Sequence, residues 1–320
     1  MLVVGLQGSP RRKGNSRFLL ETFLDAAGSF GAETRLIEVD RADIQPCKEY
    51  TVCEKKGTCP IDDDMPREIY GLIRRADLVV AATPVFFYNM TAQLKAVIDR
   101  CQTFWARKYR LRWRDPRMKT KKGYLLSVAA TRGTNLFDAI HLTMRYFCDA
   151  IDADYAGHLT YRGIEGPKDM ARHATVLTDV QRAVSGLMSP LADRRRMLFL
   201  GSSGACASQM AAALVRAKAA DRFDVRAAGM TPARQVAPAA VKVMAARGWD
   251  IAYERPESLS RVLDPWQPDT LVLLGGDVEA PEIPTDEIHR WELPAPVTED
   301  ADALDALCDV LEQKTAELVR

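Results

Sequence analysis

The chain of 320 residues is too long for one compact α/β domain and favours two. A hydrophobic fraction of 47% and a charged fraction of 27% are typical of globular proteins, and a net charge of +1 argues against a general attraction to nucleic acid or to anionic membranes. No apolar run reaches the roughly 18 residues of a membrane span, and the amino end has the wrong charge order for a signal peptide. Seven irregularly spaced cysteines favour reduced thiols in a cytoplasmic protein. From the charge and the apolar runs, we expect neither nucleic acid nor a membrane as partner.

Apolar runs alternate with helical patterns through the first 190 residues. The patterns predict strands over 2–6, 33–39, 78–83, 123–130 and 156–161, and helices over 16–27, 65–75, 91–104, 135–150 and 168–188. Short apolar strands that alternate with helices imply a parallel sheet covered on both faces. The first half is therefore predicted to be a doubly wound α/β domain with a five-stranded parallel sheet.

The same alternation restarts after a break near residue 190. Ser189-Pro190 and the charged run at 193–196 are interpreted as a linker. Beyond it, strands are predicted over 197–200, 224–228 and 270–274, and helices over 208–218, 238–247 and 302–318. We therefore expect a first domain over 1–190 and a second, smaller α/β domain over 197–320.

The loop over residues 8–16 joins the first strand to the first helix. Its backbone and side chains could aim several donors at one anion, and the helix N-terminus behind them favours negative charge. A plain helix cap at Ser16 is the alternative. If a phosphate binds here, the residues that hold it are Ser9, Arg11, Gly14, Asn15 and Ser16.

Two further loops follow strands of the same predicted sheet. In a doubly wound sheet, ligands bind at the carboxyl ends of the strands. The first of these loops combines a proline, aromatic rings and an amide, which suits one side of a flat ring system, although the rings could instead pack under the next helix. The candidate ring-binding residues are Thr83, Pro84, Val85, Phe86, Phe87 and Asn89, with Thr131, Arg132 and Gly133 from the third loop.

These motifs together resemble the NADPH-dependent FMN reductase family of flavodoxin-like proteins. The resemblance covers about residues 1–185 and keeps both order and spacing. It rests on Gly8-Ser9-Pro10, Gly14-Asn15-Ser16, Asp62-Asp63-Asp64-Met65, Ala76-Asp77, Thr83-Pro84-Val85, Leu94-Lys95 and Asp99-Arg100.

The resemblance implies FMN as cofactor, with its phosphate in the first loop and its ring between the other two. It also implies hydride transfer from NADPH or NADH to FMN, and onward reduction of a flavin, a quinone or another small-molecule acceptor. No catalytic side chain is expected, because the chemistry belongs to the flavin. We further expect a homodimer or homotetramer. Two alternatives remain: a flavodoxin-type electron carrier, and a non-catalytic sensor that binds flavin or an anion.

Three cysteines, Cys47, Cys53 and Cys59, precede the aspartate run. The iron-sulfur flavoproteins of this family carry four cysteines in this stretch, which hold a [4Fe–4S] cluster, but Tyr50 stands at the position expected for the second. A four-thiolate cluster would lack one ligand. Cysteines without metal are favoured over a zinc site completed by another residue or a three-cysteine cluster.

A basic, aromatic-rich stretch runs from Arg107 to Lys122. Such a run could attract an anionic nicotinamide phosphate or nucleic acid. A solvated loop, or an arm that lies on a neighbouring subunit, is the favoured interpretation.

The second half resembles the low-molecular-weight tyrosine phosphatases and the related arsenate reductases. The resemblance covers about residues 197–318, starts with the loop 197–210, and implies a four-stranded parallel sheet. The family's nucleophilic cysteine, its loop arginine and its acid aspartate correspond here to Gly201, Ala207 and Ala295, and later redox cysteines correspond to Gly275 and Ala280. Without these groups the second domain is predicted to be catalytically inactive. Weak anion binding by its loop remains an alternative.

Overall fold

The computed structural model describes residues 1–276, 278–293 and 301–320 and divides into two compact units. The first unit contains Met1–Arg112 and Thr120–Ala192. The second contains Asp193–Arg320 together with the segment Trp113–Lys119. Among the described residues, no helix combines the length and the apolar character that crossing a membrane requires.

The first unit is built on a five-stranded parallel sheet. Its strands are β1 (Leu2–Gln7), β2 (Glu33–Glu38), β3 (Leu78–Pro84), β4 (Lys122–Ala129) and β5 (Asp154–Arg162). Their order is β2-β1-β3-β4-β5, and every neighbouring pair is parallel. This is the flavodoxin-like order, in which ligands bind where the winding reverses between β1 and β3. The predicted fold class is confirmed.

Eight α-helices and one π-helical turn accompany this sheet in the described part of the chain. The helices are α1 (Asn15–Gly28), α2 (Val52–Lys56), α3 (Tyr70–Arg75), α4 (Ala92–Arg100), α5 (Gln102–Tyr109), α6 (Asp138–Ala150), α7 (Asp169–Arg172) and α8 (Val176–Ala192). The helix predicted over 65–75 begins as the π-helical turn Met65–Ile69. The helices predicted over 91–104 and 168–188 are each interrupted, so that each forms two helices.

The linker interpretation of Ser189-Pro190 is wrong, because α8 continues through Pro190 to Ala192. Its buried stripe extends from Val176 to Leu191. A proline in the last turn costs one backbone hydrogen bond, and burial of the continuing apolar face offsets that loss.

The second unit contains a four-stranded parallel sheet in the order β7-β6-β8-β9. Its strands are β6 (Arg195–Gly201), β7 (Phe223–Gly229), β8 (Thr270–Leu274) and β9 (Glu287–Trp291), and its helices are α9 (Ala207–Ala219), α10 (Pro238–Ala246), α11 (Leu259–Leu263) and α12 (Ala301–Leu318). The implied four-stranded sheet is confirmed. The apolar patterns missed β9, because this edge strand is mostly exposed and reads Glu-Ile-His-Arg-Trp.

The aspartate run of the first unit serves the fold. The Asp63 carboxylate is fully buried and binds the Arg100 guanidinium at 2.5 and 3.1 Å. Burial opposes the charge on Asp63, but the bonds from Arg100 and from two backbone N–H groups outweigh it and lower the pKa of this carboxyl. The pair fixes the segment that carries the three clustered cysteines against α4, since Asp63 also accepts from the Gln45 N–H at 3.0 Å.

The basic stretch over 107–122 is not a solvated loop throughout. Arg107 donates to the Gly57 carbonyl at 2.7 Å, and the Lys121 ammonium donates to the Ile73 and Arg74 carbonyls at 3.0 and 2.7 Å. Within the second unit, Arg117 forms a buried ion pair with Glu254. Buried cations need such partners, and these three side chains form part of the protein interior.

Candidate functional site

The first loop of the first unit is fixed at its base by Gly8. The Gly8 N–H donates to the Ala82 carbonyl at 2.8 Å, and the Thr91 hydroxyl donates to the Gly8 carbonyl at 2.6 Å. A Cβ at Gly8 would lie 2.8 Å from the Leu94 Cβ, so no larger residue fits there without movement. The loop therefore starts at the crevice between β1 and β3.

The rest of the loop closes over the N-terminus of α1. The Ser9 hydroxyl is buried and accepts from the Arg11 N–H at 3.2 Å, while the Gly14 N–H donates to the Arg11 carbonyl at 3.2 Å. Gly14 precedes α1 without a side-chain cap, and the first turn contains no acidic residue. The N–H groups of this first helical turn and the positive field at the helix N-terminus suit an anion. Ser16 is buried in this turn and Arg11 is exposed.

Asn15 has a structural role that its place in the sequence did not predict. Its side-chain amide donates to the Gly166 carbonyl at 3.0 Å, and its side-chain carbonyl accepts from the Met170 N–H at 3.1 Å. These two bonds tie the first loop to the segment that begins α7. One amide N–H of Asn15 remains for a phosphate, and its role as phosphate donor stays a prediction.

The second loop is shaped by Thr83 and ends in a strained turn. The Thr83 hydroxyl, fully buried, donates to the Pro84 carbonyl at 2.8 Å, and the Val85 N–H donates to the Val128 carbonyl at 2.9 Å. Beyond them, Phe86 and Asn89 exchange two backbone hydrogen bonds at 2.8 and 2.9 Å.

The two residues enclosed by that turn, Phe87 and Tyr88, both have positive φ, at 47° and 61°. This backbone is typical of a two-residue hairpin turn, where Asn-Gly is usual. The Phe87 side chain is fully exposed, and those of Phe86 and Tyr88 are about half exposed. Bulky residues persist in such backbone only where the surroundings impose it, and strain of this kind clusters at ligand sites.

The third loop meets the second through Tyr88. A Cβ built on Gly133 would lie 3.0 Å from the Tyr88 hydroxyl, and the Thr131 carbonyl accepts from the Gly163 N–H at 3.3 Å. The Arg132 side chain passes close to Gly163. The structure thus brings the predicted second and third loops together. It adds Tyr88 to the candidate ring-binding residues, and the sequence feature that could have indicated Tyr88 is its place in the Phe-Phe-Tyr run.

Gln7 is a buried polar residue beside the first loop that the sequence analysis did not single out. It ends β1, directly before the first loop, and is 1% exposed. Neither amide atom has a hydrogen-bond partner among the described residues. An unpaired buried polar group costs about 1–3 kcal/mol, so this amide opposes the stability of the fold. A polar residue at the end of an otherwise apolar strand was the available signal.

The comparisons with known proteins agree with this geometry. Residues 1–151 match the family described as NADPH-dependent FMN reductase. FMN is accordingly the cofactor of the first unit, and the donor-rich first loop and the aromatic second loop fit its phosphate and its ring.

Curated relatives match only part of the chain. An iron-sulfur flavoprotein of Methanosarcina thermophila is 36% identical over 132 residues, which cover 41% of this chain and 65% of the relative. An NAD(P)H:quinone oxidoreductase structure from Methanothermobacter marburgensis is similar over 58% of this chain and 96% of its own length, with 20% identity and a TM-score of 0.43. An arsenate reductase structure from Archaeoglobus fulgidus is similar over 38% of this chain and 98% of its own, with 27% identity and a TM-score of 0.33.

The cysteine segment supplies three thiols, one fewer than a four-thiolate [4Fe–4S] cluster binds. Cys47 is exposed, Cys53 and Cys59 are partly buried, and Tyr50 is 55% exposed. Within the described ranges, no three cysteine, histidine or acidic side chains are grouped so that they could hold a metal ion. Burial first, then the neighbouring Cys59 and Cys47, raises the pKa of Cys53.

The corresponding loop of the second unit runs from Gly201 to the start of α9. Three of its carbonyls accept backbone N–H groups from residues 230–233 at 2.8–3.0 Å. A Cβ at Gly204 would lie 2.7 Å from the Gly229 backbone nitrogen, so this loop is tightly packed. Burial raises the pKa of Cys206 to about 11. No described side chain of the loop supplies a ready thiolate or a guanidinium. Ala295, the predicted counterpart of the acid aspartate, lies outside the described residues.

We expect Ser16→Ala to weaken FMN binding by about tenfold or more, because a hydrogen bond to a charged group contributes about 1.5–3 kcal/mol. Asn15→Ala should weaken it too and also lower the free energy of unfolding, since it releases Gly166 and Met170. Fluorescence titration of the apoprotein with FMN, with chemical denaturation alongside, measures both effects. Unchanged FMN affinity in the double variant Asn15→Ala, Ser16→Ala would exclude the assigned phosphate site.

We expect the wild-type chain to assemble no [4Fe–4S] cluster, because a phenol is a poor ligand for iron-sulfide. Anaerobic reconstitution followed by iron and sulfide analysis checks this, with Tyr50→Ser as the matched control for Tyr50→Cys. Cluster formation in Tyr50→Cys alone would identify the missing ligand as the cause. Stoichiometric four-iron content in the wild type would contradict the prediction.

Proposed function

We propose that the chain is an NAD(P)H-dependent flavin reductase whose first unit carries out the redox reaction. The observation that carries this proposal is the convergence of three ligand-suited loops at the carboxyl edge of a flavodoxin-like sheet in the part of the chain that matches the FMN reductase family. FMN, when bound, accepts hydride from the nicotinamide and passes electrons to a small-molecule acceptor.

The protein's own contribution is binding and orientation. Ser9, Ser16 and the first-turn N–H groups of α1 hold the phosphate in a positive field. The turn Phe86–Asn89, joined to the third loop through Tyr88, forms a rigid wall for the flat ring. The exposed Phe87 ring leaves that edge open to a second flat molecule, as a reductase that takes donor and acceptor in turn requires.

The acceptor is proposed to be a flavin, a quinone or another small molecule, and the chain is proposed to work as a homodimer or homotetramer. Exposed Leu142 and Tyr146 on α6 support contact with a further copy. Location in the cytoplasm stays a prediction.

We propose that the second unit is phosphatase-like but inactive. Thiolate attack needs a nucleophile with a depressed pKa and donors for the oxyanion. Gly201 and Ala207 supply neither, and the one thiol of the loop, Cys206, is buried with a raised pKa.

The decisive test of the redox proposal is anaerobic mixing of the FMN-loaded chain with NADPH or NADH. We expect full bleaching of the flavin absorption band by at least one of them, and no nicotinamide oxidation by the apoprotein. Flavin that is bleached by dithionite but by neither nicotinamide would indicate an electron carrier. Bound flavin that no donor reduces would indicate a sensor.

We expect no hydrolysis of an aryl phosphate by the second unit, and Gly201→Cys should stay near background, because residues that act as a unit are strongly non-additive. The triple variant Gly201→Cys, Ala207→Arg, Ala295→Asp is the one expected to gain turnover. A steady-state assay of the full-length proteins decides this. Wild-type hydrolysis that is lost in Cys206→Ser would refute the inactive-domain proposal.

A further inference from the structure

The segment Trp113–Lys119, here called the strap, is a part of the basic stretch that the candidate FMN site does not use. It lies between α5 and β4 in the sequence but belongs to the second unit, whose remaining residues are Asp193–Arg320. The chain thus leaves the first unit after Arg112 and re-enters it at Thr120. The two units are therefore connected by the chain at three points, whereas two domains in tandem are connected at one.

The strap is bound along its backbone by the segment that follows α10. The Arg114 N–H donates to the Gly248 carbonyl at 2.8 Å, and the Asp250 N–H donates to the Arg114 carbonyl at 2.9 Å. Arg114 thereby pairs with Trp249 as in a parallel sheet. Backbone pairing of this kind gives affinity for an extended peptide, whereas side-chain pockets give specificity.

The Arg117 side chain occupies such a pocket. Its guanidinium binds the Glu254 carboxylate twice, at 2.6 Å from Nη1 to Oε1 and at 3.2 Å from Nη2 to Oε2, and both residues are only 8% exposed. The same carboxylate accepts from Arg216 of α9 at 3.3 Å. A planar guanidinium makes both bonds, which the ammonium of a lysine cannot reproduce. The backbone of residues 248–250 and the pair Glu254–Arg216 together form the strap site, which selects arginine.

The strap presents this arginine on a turn that its own residues form. The fully buried Asp115 carboxylate accepts from the Arg117 N–H at 2.9 Å, and the Asp115 carbonyl accepts from the Met118 N–H at 3.0 Å. Pro116 occupies the second position of the turn, where its fixed φ is favoured. A ligand that already has its bound conformation loses less entropy on binding.

We propose that the second unit is a peptide-binding module that recognises an Asp-Pro-Arg turn, and that its ligand is the strap of the same chain. This function needs neither a nucleophile nor an anion site. Because the strap interrupts the first unit, the module anchors the chain between α5 and β4. The inference goes beyond the proposed redox function and does not depend on it.

The test uses a full-length variant in which glycine and serine residues replace the strap, so that the strap site is empty. We expect a fluorescently labelled peptide with the sequence of residues 112–120 to bind this variant, as measured by fluorescence anisotropy. The same peptide with Arg117→Lys should bind at least about tenfold more weakly, because lysine cannot make both bonds to Glu254. The wild-type chain should bind neither peptide, because its own strap occupies the site at a high effective concentration. Equal affinity for the two peptides, or no binding by a variant that circular dichroism shows to be folded, would overturn the inference.

Native-state proteolysis of point variants tests the strap in place and decides the matter if the variant without the strap does not fold. Glu254→Gln should speed tryptic cleavage after Arg117 and Lys119 about tenfold, because a neutral amide binds the guanidinium less strongly and cleavage follows the population of released strap. Glu257→Gln, which removes a carboxylate 3.7 Å from Arg261, is the matched control and should leave the cleavage rate unchanged. Equal rates in the two variants would overturn the inference. Neither readout involves flavin reduction, so failure of the redox proposal would leave the strap site standing.

Discussion

The parallel pairing of β1 with both β2 and β3 is the constraint on which the first unit depends. Because the three strands run in the same direction, the loop after β1 and the loop after β3 leave the sheet at the same edge. The chain winds one way from β1 to β2 and the other way from β3 to β5, so a crevice opens between β1 and β3. The candidate FMN site lies in that crevice.

Polar side chains convert this crevice into a fixed site. Thr91 binds the Gly8 carbonyl, Thr83 shapes the loop after β3, and Asn15 ties α1 to the segment before α7. The contacts of Thr91 and Asn15 join segments that are distant in the chain. A flexible loop would lose conformational entropy when it closed on a phosphate, and these contacts remove that cost before the ligand arrives.

The two units use the same strand-loop-helix arrangement with different chemistry. In the first unit, the loop after β1 keeps hydroxyls, an amide and surrounding cations. In the second, the loop after β6 contains glycine, serine and alanine with one buried cysteine, Cys206, and no charged side chain. A shared backbone geometry therefore does not imply a shared activity, because the side chains provide the reactive groups.

The amino-acid sequence was enough to predict the doubly wound sheet and the three loops at its carboxyl edge. Apolar runs of strand length between helical patterns have few other solutions, and a loop that follows a strand in such a fold must lie at the carboxyl edge. Local propensity also placed most strands to within two residues.

The roles of individual polar residues could be read only from the folded chain. Asn15 binds the backbone near residue 170, Asp63 pairs with Arg100, and Lys121 is buried on backbone carbonyls. The structure also showed that α8 passes through Pro190, because its apolar stripe has a core to cover. The strain at Phe87 and at Lys168 could not be predicted either. A positive φ for such residues is opposed by local preference. At Phe87 the backbone bonds between Phe86 and Asn89 close the turn, and at Lys168 the bonds from Asn15 hold the flanking residues.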